Sequence, residues 1–256
     1  MDNFKQRLTD FYNKFNENKR LDHRHGQVEF LTCIKYIKEY LKENDTIIDI
    51  GAGPGKYTIY FKNEGHDVTA VEYVRPNIGM LKAKDPSIKV VETSATDLSM
   101  FKDNEFDVAI LFGPMYHLYS KEDKLKALKE AKRITRKYIF VSYIMNDYSV
   151  IRYAFVEDHY KEIKDKLDEN YHIDDKDGLF FQSRIEDMDE LNKLADLKLV
   201  KRFAADGPSD YMRPTINLMD DETFKGFIDY HLKTCERKEL LGASSHVVDI
   251  LEKRSA

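Results

Sequence analysis

Apolar positions along the chain fall into three regimes. From Leu8 to Leu41 they recur at helical spacing. Leu8, Phe11, Tyr12 and Phe15 form one stripe; Val28, Leu31, Ile34, Ile37 and Leu41 form a second. The polar stretch Arg24-His25-Gly26 separates them, so residues 2–45 are predicted to be helical with a break there. From residue 46 the pattern changes. Thr46 to Ile50 is a short β-prone run stopped by Gly51-Ala52-Gly53-Pro54-Gly55, and a helix-length segment follows to about Glu64. Gly65-His66-Asp67 reads as a turn and Val68 to Val71 as a second strand. A helix over roughly 76–84, strands over 88–92 and 106–112, a helix over 121–134 and a strand over 138–143 continue the alternation.

The third regime is charged and less regular. Residues 146–195 are predicted to be mostly helical (151–169 and 184–195), with a polar turn at Asp174-Asp175-Lys176-Asp177-Gly178. Leu197 to Ala204 and Ser245 to Leu251 look like strands, with a helix near 221–233 between them. Strands alternating with helices predict an α/β fold: a Rossmann-like, doubly wound, mostly parallel sheet. Such a sheet binds ligands beyond the carboxyl ends of its strands. The expected organisation is one domain, 1–256, with a helical cap over 1–44 and a cofactor-binding core over 45–145. Insertions at 146–195 and 206–243 are expected to close over the sheet as a lid.

Composition narrows the function classes. The chain has 256 residues and a formal net charge of −5. So mildly acidic a domain has no overall field for gathering nucleic acid. No run approaches the roughly 18–20 apolar residues of a membrane span, and the first twenty residues lack the apolar region of a signal peptide. Cys33 and Cys235 are the only cysteines, too few for a disulfide framework or a four-cysteine zinc site. A reduced, soluble, cytoplasmic protein is expected. His231, Cys235, His246 and Arg213 include metal-type residues, but His231-x3-Cys235 gives only two ligands, so no metal is expected.

The chemistry concentrates in Asp49-Ile50-Gly51-Ala52-Gly53-Pro54-Gly55-Lys56-Tyr57-Thr58. A phosphate-binding loop would need Gly-x4-Gly-Lys-Ser/Thr, and Tyr57 follows Gly55-Lys56. A dinucleotide turn would need Gly-x-Gly-x-x-Gly, which fails at Lys56 and at Thr58. What remains is Asp-x-Gly-x-Gly-x-Gly. Three further stretches follow in order: Val71-Glu72-Tyr73, Ser94-Ala95-Thr96-Asp97-Leu98, and Phe106 through Leu118 with Gly113-Pro114-Met115-Tyr116-His117 after the strand. In this arrangement residues 45–145 resemble the class I S-adenosylmethionine-dependent methyltransferases, in particular their small-molecule, ubiquinone-type branch.

The resemblance implies an antiparallel last strand and S-adenosylmethionine as cofactor. It implies a cofactor site of Asp49, Gly51, Ala52, Gly53, Gly55, Glu72, Tyr73, Asp97, Leu98 and Phe112. The residue chemistry agrees: Glu72 suits two ribose hydroxyls, Asp97 an adenine amine and Asp49 an ammonium. Tyr12, Tyr57 and Tyr116 offer aromatic faces to a sulfonium, and Arg24 suits the cofactor carboxylate. Met115, Tyr116, His117, Tyr143 and Arg213 are the candidate acceptor-binding residues. His117 is the candidate general base, with pocket lining as its alternative role. His246 is a further candidate to reach the pocket. The expected activity is methyl transfer to O, N or S of a small or medium-sized molecule by a monomer or homodimer. An RNA or protein methyltransferase of the same fold, and a non-catalytic cofactor-binding protein, remain alternatives. Gly113-Pro114-Met115-Tyr116 stands where an amide-methylating Asn-Pro-Pro-Tyr motif would be.

Overall fold

The computed structural model describes residues 3–14, 17–175 and 178–254. The expectations on Phe15 and on Lys176-Asp177 lie outside these residues. Five parallel strands form the heart of the sheet: β1 (Ile47–Ile50), β2 (Val68–Glu72), β3 (Lys89–Glu92), β4 (Phe106–Leu111) and β5 (Thr135–Met145). A two-residue strand, β6 (Gln182–Ser183), pairs with the end of β5. The last two strands are β7 (Leu197–Ala204) and β8 (His246–Lys253). The order is β3-β2-β1-β4-β5-β8-β7, and β8 runs antiparallel to both its neighbours. This is a mostly parallel, Rossmann-like sheet with an antiparallel last strand. That strand is internal, and β7 takes the edge.

β1 reads Ile-Ile-Asp-Ile and is buried along its whole length, as expected of a strand covered on both faces. Ile47, Ile48 and Ile50 are fully buried, each contributing about 1.5–3 kcal/mol of apolar burial. Helices α4 (Lys56–Asn63), α5 (Arg75–Lys84), α6 (Pro114–His117) and α7 (Lys121–Ile134) follow β1, β2, β4 and α6 in turn. Ser120 caps α7 by accepting from the Asp123 amide at 3.0 Å. Its Ala127, Leu128, Ala131 and Ile134 face the core.

The N-terminal segment forms α1 (Asn3–Lys14), α2 (Glu17–Arg20) and α3 (Arg24–Tyr40). Arg24-His25-Gly26, expected to be the break, is the first turn of α3, and the break lies one turn earlier. Gly26 marks the close approach of the two segments: a Cβ there would stand 2.2 Å from the Arg20 carbonyl oxygen. Leu31, counted in the apolar stripe, is exposed.

After β5 come α8 (Asn146–Ser149), a π-helical stretch (Val150–Val156), α9 (Tyr160–Ile163) and α10 (Ile185–Leu194). The expected continuous helix over 151–169 is thus interrupted. Asp158 has φ of 61°, a left-handed conformation that a helix interior does not admit. Between β7 and β8 lie α11 (Arg213–Asn217), α12 (Asp221–Thr234) and α13 (Lys238–Leu241). No described helix is long and apolar enough to cross a membrane.

Candidate active site

A cavity of about 490 Å³ opens beyond the carboxyl ends of β1, β2 and β4. Its floor is the turn after β1. Gly51 (φ 79°) and Gly53 (φ 55°) are left-handed, and a Cβ on Gly51 would press within 2.6 Å of Pro114. At the end of β2, buried Glu72 fastens this turn. Its Oε2 accepts from the Gly53 amide at 2.7 Å. Its Oε1 accepts from the Tyr73 and Val74 amides at 2.9 and 2.7 Å. A carboxylate has about four acceptor positions, and the Asn77 side chain also bonds to this one, so little of it remains for a ligand hydroxyl, fewer than the two the sequence reading assigned. Beside it, buried Asn77 lines the cavity, and its Oδ1 has no partner among the described residues. Asp49 accepts from Thr58 Oγ1 at 2.5 Å, and burial pushes its carboxyl up to about 6.

Thr93, Ser94, Ala95 and Thr96 line the wall beyond β3, and Phe112, Gly113 and Pro114 the wall beyond β4. Helix α1 covers the mouth with Phe4, Leu8 and Tyr12. The Tyr12 hydroxyl lies 2.8 Å from His117 Nε2, and His117 Nδ1 lies 2.8 Å from the Leu179 carbonyl oxygen. A carbonyl only accepts, so Nδ1 carries the hydrogen and Nε2 accepts from Tyr12. Burial pushes the His117 imidazole down to about 4, which keeps it neutral near pH 7. The segment behind it is strapped on: the Phe181 amide donates to the Tyr116 carbonyl at 2.7 Å, and the Tyr119 hydroxyl donates to the Gly178 carbonyl.

Arg20 and Glu29 complete the wall, joined by contacts of 2.5 and 3.1 Å. Behind Glu29, His246 Nδ1 lies 3.6 Å from its Oε2 and 3.2 Å from Asp206 Oδ2. These carboxylates favour the charged imidazole, and the His246 pKa is raised despite burial.

The structure brings Tyr12, Asp49, Gly51, Ala52, Gly53, Tyr57, Glu72, Tyr73, Phe112, Tyr116 and His117 around one cavity. Other expected residues stand elsewhere. Arg24 pairs with Asp221 at 2.6 Å, and Arg20, one helical turn earlier, faces the cavity instead. Asp97 is exposed and accepts from Ser99 Oγ at 2.7 Å, capping its own turn. Leu98 and Met115 are packed in the core. Gly55 adjoins Leu81, where a Cβ would come within 2.1 Å, so it serves the seating of α4 on α5. Tyr143 is fully buried in the core, while its neighbour Ser142 lines the cavity. Successive strand residues face opposite sides, and the expectation chose the wrong one. Arg213 pairs with Asp210 at 2.5 Å, outside the cavity. His231 sits near the Ala205 carbonyl at 3.2 Å, and Cys235 lies 3.3 Å from the Tyr36 hydroxyl.

Every lining residue falls between Phe4 and Ser142. The insertions therefore stand behind the wall, through Leu179, Asp206 and the strap, where the sequence reading had them build it. Sequence reasoning missed Phe4, Leu8, Arg20, Glu29, Asn77, Thr93 and Ser142. Helical spacing back from Tyr12 signals Leu8, and strand alternation signals Ser142. Nothing local signals Glu29.

Residues 48–139 match a family model described as a methyltransferase domain. An uncharacterized methyltransferase of Schizosaccharomyces pombe is 31% identical over 121 residues, 41% of each chain. A Bos taurus protein named "Probable tRNA methyltransferase 9B" is 26% identical over 102 residues, 38% of this chain and 21% of that one. The matches thus span about two fifths and one fifth of these relatives. Among solved structures, a SAM-dependent methyltransferase from Methanosarcina mazei aligns over 86% of this chain and 98% of its own. Its TM-score is 0.59 and its identity 16%. The similarity to methyltransferase domains thus lies in residues 48–139, and the fold is the Rossmann-like one seen in solved S-adenosylmethionine-dependent methyltransferases.

Proposed function

We propose that the protein transfers the methyl group of S-adenosylmethionine to an O, N or S atom of a small molecule. The observation that carries this reading is the cavity, lined both by the glycine turn and by the Tyr12–His117 pair. The residues fit the cofactor: Asn77 Oδ1 is a buried acceptor in want of a donor, and Gly53, with open space where a Cβ would stand, admits a ligand against bare backbone. Glu72 and Asn77 would hold the ribose, Thr93 to Thr96 the adenine, and Asp49 and Arg20 the amino-acid end. When bound, the cofactor supplies an electrophilic methyl group on a sulfonium.

The chain's own contribution is alignment and hydrogen bonding. Neutral His117, with its tautomer set by Leu179, presents Nε2 to Tyr12. The Tyr12 hydroxyl lines the cavity and, with its own hydrogen given to Nε2, offers its oxygen as a hydrogen-bond acceptor to the incoming molecule; an imidazole held near 4 is too weak a base to keep a proton itself. Helix α1 excludes water and restricts the acceptor to what fits beneath it.

Calorimetry with S-adenosylhomocysteine tests the cofactor. An assay counting S-adenosylhomocysteine formed, run over amines, alcohols, thiols, acids and tRNA, tests the activity. Binding without turnover of any acceptor would favour a sensor. Turnover of tRNA alone would move the reading to an RNA acceptor, the class named for the Bos taurus relative.

A further inference from the structure

We infer that His246 is a positioning residue for the amino-acid end of the cofactor: standing between Asp206 and Glu29, it steadies the carboxylate that in turn holds Arg20 at the cavity wall. The inference rests on the methyl-transfer reading above and on the place that reading gives Arg20.

Four charged side chains from separate parts of the chain meet here. Arg20 ends α2, Glu29 lies in α3, Asp206 follows β7 and His246 opens β8. Arg20 and Glu29 line the cavity, while Asp206 and His246 stand behind them. Arg20 Nη1 and Nη2 donate to Glu29 Oε2 and Oε1 at 2.5 and 3.1 Å, a two-point grip that orients the guanidinium. His246 Nδ1 lies 3.6 Å from the same Oε2 and 3.2 Å from Asp206 Oδ2. Asp206 is itself fixed, for its Oδ1 accepts from Ser244 Oγ at 2.6 Å and from the His246 amide at 3.0 Å. The row Asp206–His246–Glu29–Arg20 therefore starts on the backbone of β8 and ends at the cavity.

Charge makes the row act as a unit. With the imidazole protonated, two carboxylates and two cations cancel. Without that proton only Arg20 offsets Glu29 and Asp206, and one net negative charge stands behind the guanidinium. A carboxylate arriving from the cavity is then opposed by that charge. Burial works against both the imidazolium and the Glu29 carboxylate, yet their attraction, with Arg20 and Asp206 beside them, prevails: the His246 pKa is raised and the Glu29 pKa lowered. Neighbouring titratable groups add no charge, since burial pushes the Cys33 thiol and the Tyr57 hydroxyl up and the His231 imidazole down. His25 meets Asn217 at 3.0 Å, and the Tyr116 ring stands edge-on to His246 at 6.0 Å between centroids.

Calorimetry of the full chain with two ligands tests this. S-adenosylhomocysteine carries the amino-acid end; methylthioadenosine shares its adenine, ribose and thioether and lacks that end. His246→Asn keeps a donor beside Asp206 and removes the charge. It should weaken S-adenosylhomocysteine at least about tenfold while leaving methylthioadenosine within about twofold. In the unaltered protein the charged imidazole is present below its raised pKa and lost as pH rises through it. Affinity for S-adenosylhomocysteine should therefore fall between about pH 6 and about pH 8, that for methylthioadenosine should stay level, and the fall should vanish in His246→Asn. Should that variant not fold, the pH series on the unaltered protein decides alone. Equal losses for the two ligands in the variant, or an S-adenosylhomocysteine affinity level with pH, would overturn the inference while leaving the cofactor reading intact. Failure of both ligands to bind the unaltered protein would instead defeat that reading, and this inference with it.

Discussion

Replacing Glu72 by Gln tests the link between the strand end and the glycine turn. The amide keeps the shape of the carboxylate and one of its oxygens. If that oxygen takes the Oε1 place, it still accepts from Tyr73 and Val74, and the NH2 group then meets the Gly53 amide where Oε2 accepted at 2.7 Å. Two donors would face each other in a buried site. The lost charge-assisted hydrogen bond is worth about 1.5–3 kcal/mol. At roughly 2–4 °C per kcal/mol for a domain of this size, the melting temperature should fall by about 3–12 °C. The turn must also shift to relieve the clash, so S-adenosylhomocysteine affinity should drop at least about tenfold. Scanning calorimetry and titration calorimetry on the same preparation measure the two effects. A variant that melts within about 1 °C of the parent and binds equally well would refute the reasoning, because Glu72 would then be neither a buttress nor a ligand group.

Other expectations follow from the same geometry. With the His117 pKa pushed down to about 4 from an ordinary value near 6.5, its stabilising neutral form is fully present above 6.5 and lost as pH falls toward 4. The turnover rate should accordingly be flat from pH 6 to 8, and a pH–rate midpoint near 6.5 would show that His117 is not held as described. Gly53→Ala has open space around the new Cβ and should fold with about 1–2 kcal/mol of backbone strain, whereas Gly55→Val must displace Leu81 and should lose most of its stability. Chemical denaturation of the two variants separates these costs, and equal losses would contradict them. Asp97→Asn should change cofactor affinity less than about twofold, since the carboxylate faces Ser99; a tenfold loss on titration would return Asp97 to the site.

The parallel strands and the glycine turn were legible because both are local demands: apolar β-prone runs for a covered sheet, and residues tolerating positive φ where it turns. Errors arose where one residue or one helical turn decides the direction. Tyr143 and Ser142 are neighbours, and only the strand's register says which faces the cavity. Arg24 and Arg20 differ by the point at which α3 starts, which is set by Gly26 packing on Arg20 rather than by the polarity of the stretch. Glu29 and Leu179 were invisible for a different reason. Each acts through a partner far along the chain, His246 for the one and His117 for the other, and no periodicity carries that information.

The place of β8 in the sheet has a consequence for how the molecule is assembled. It is made after every other strand, yet it lies between β5 and β7 and supplies partners to both. Asp249 on it receives Arg202 in a bidentate pair at 2.6 and 2.8 Å and Asn192 at 2.7 Å, all buried or nearly so. Until residues 246–253 leave the ribosome, β5 and β7 each expose an unpaired edge, and the side chains of Arg202 and Asn192 await their acceptor. The cradle around β1, β2 and β4 has no such dependence and can form on the nascent chain. The strand whose first residue, His246, backs Glu29 thus enters after the strands on both sides of it have been made, so the wall behind Glu29 is fixed later than the cradle.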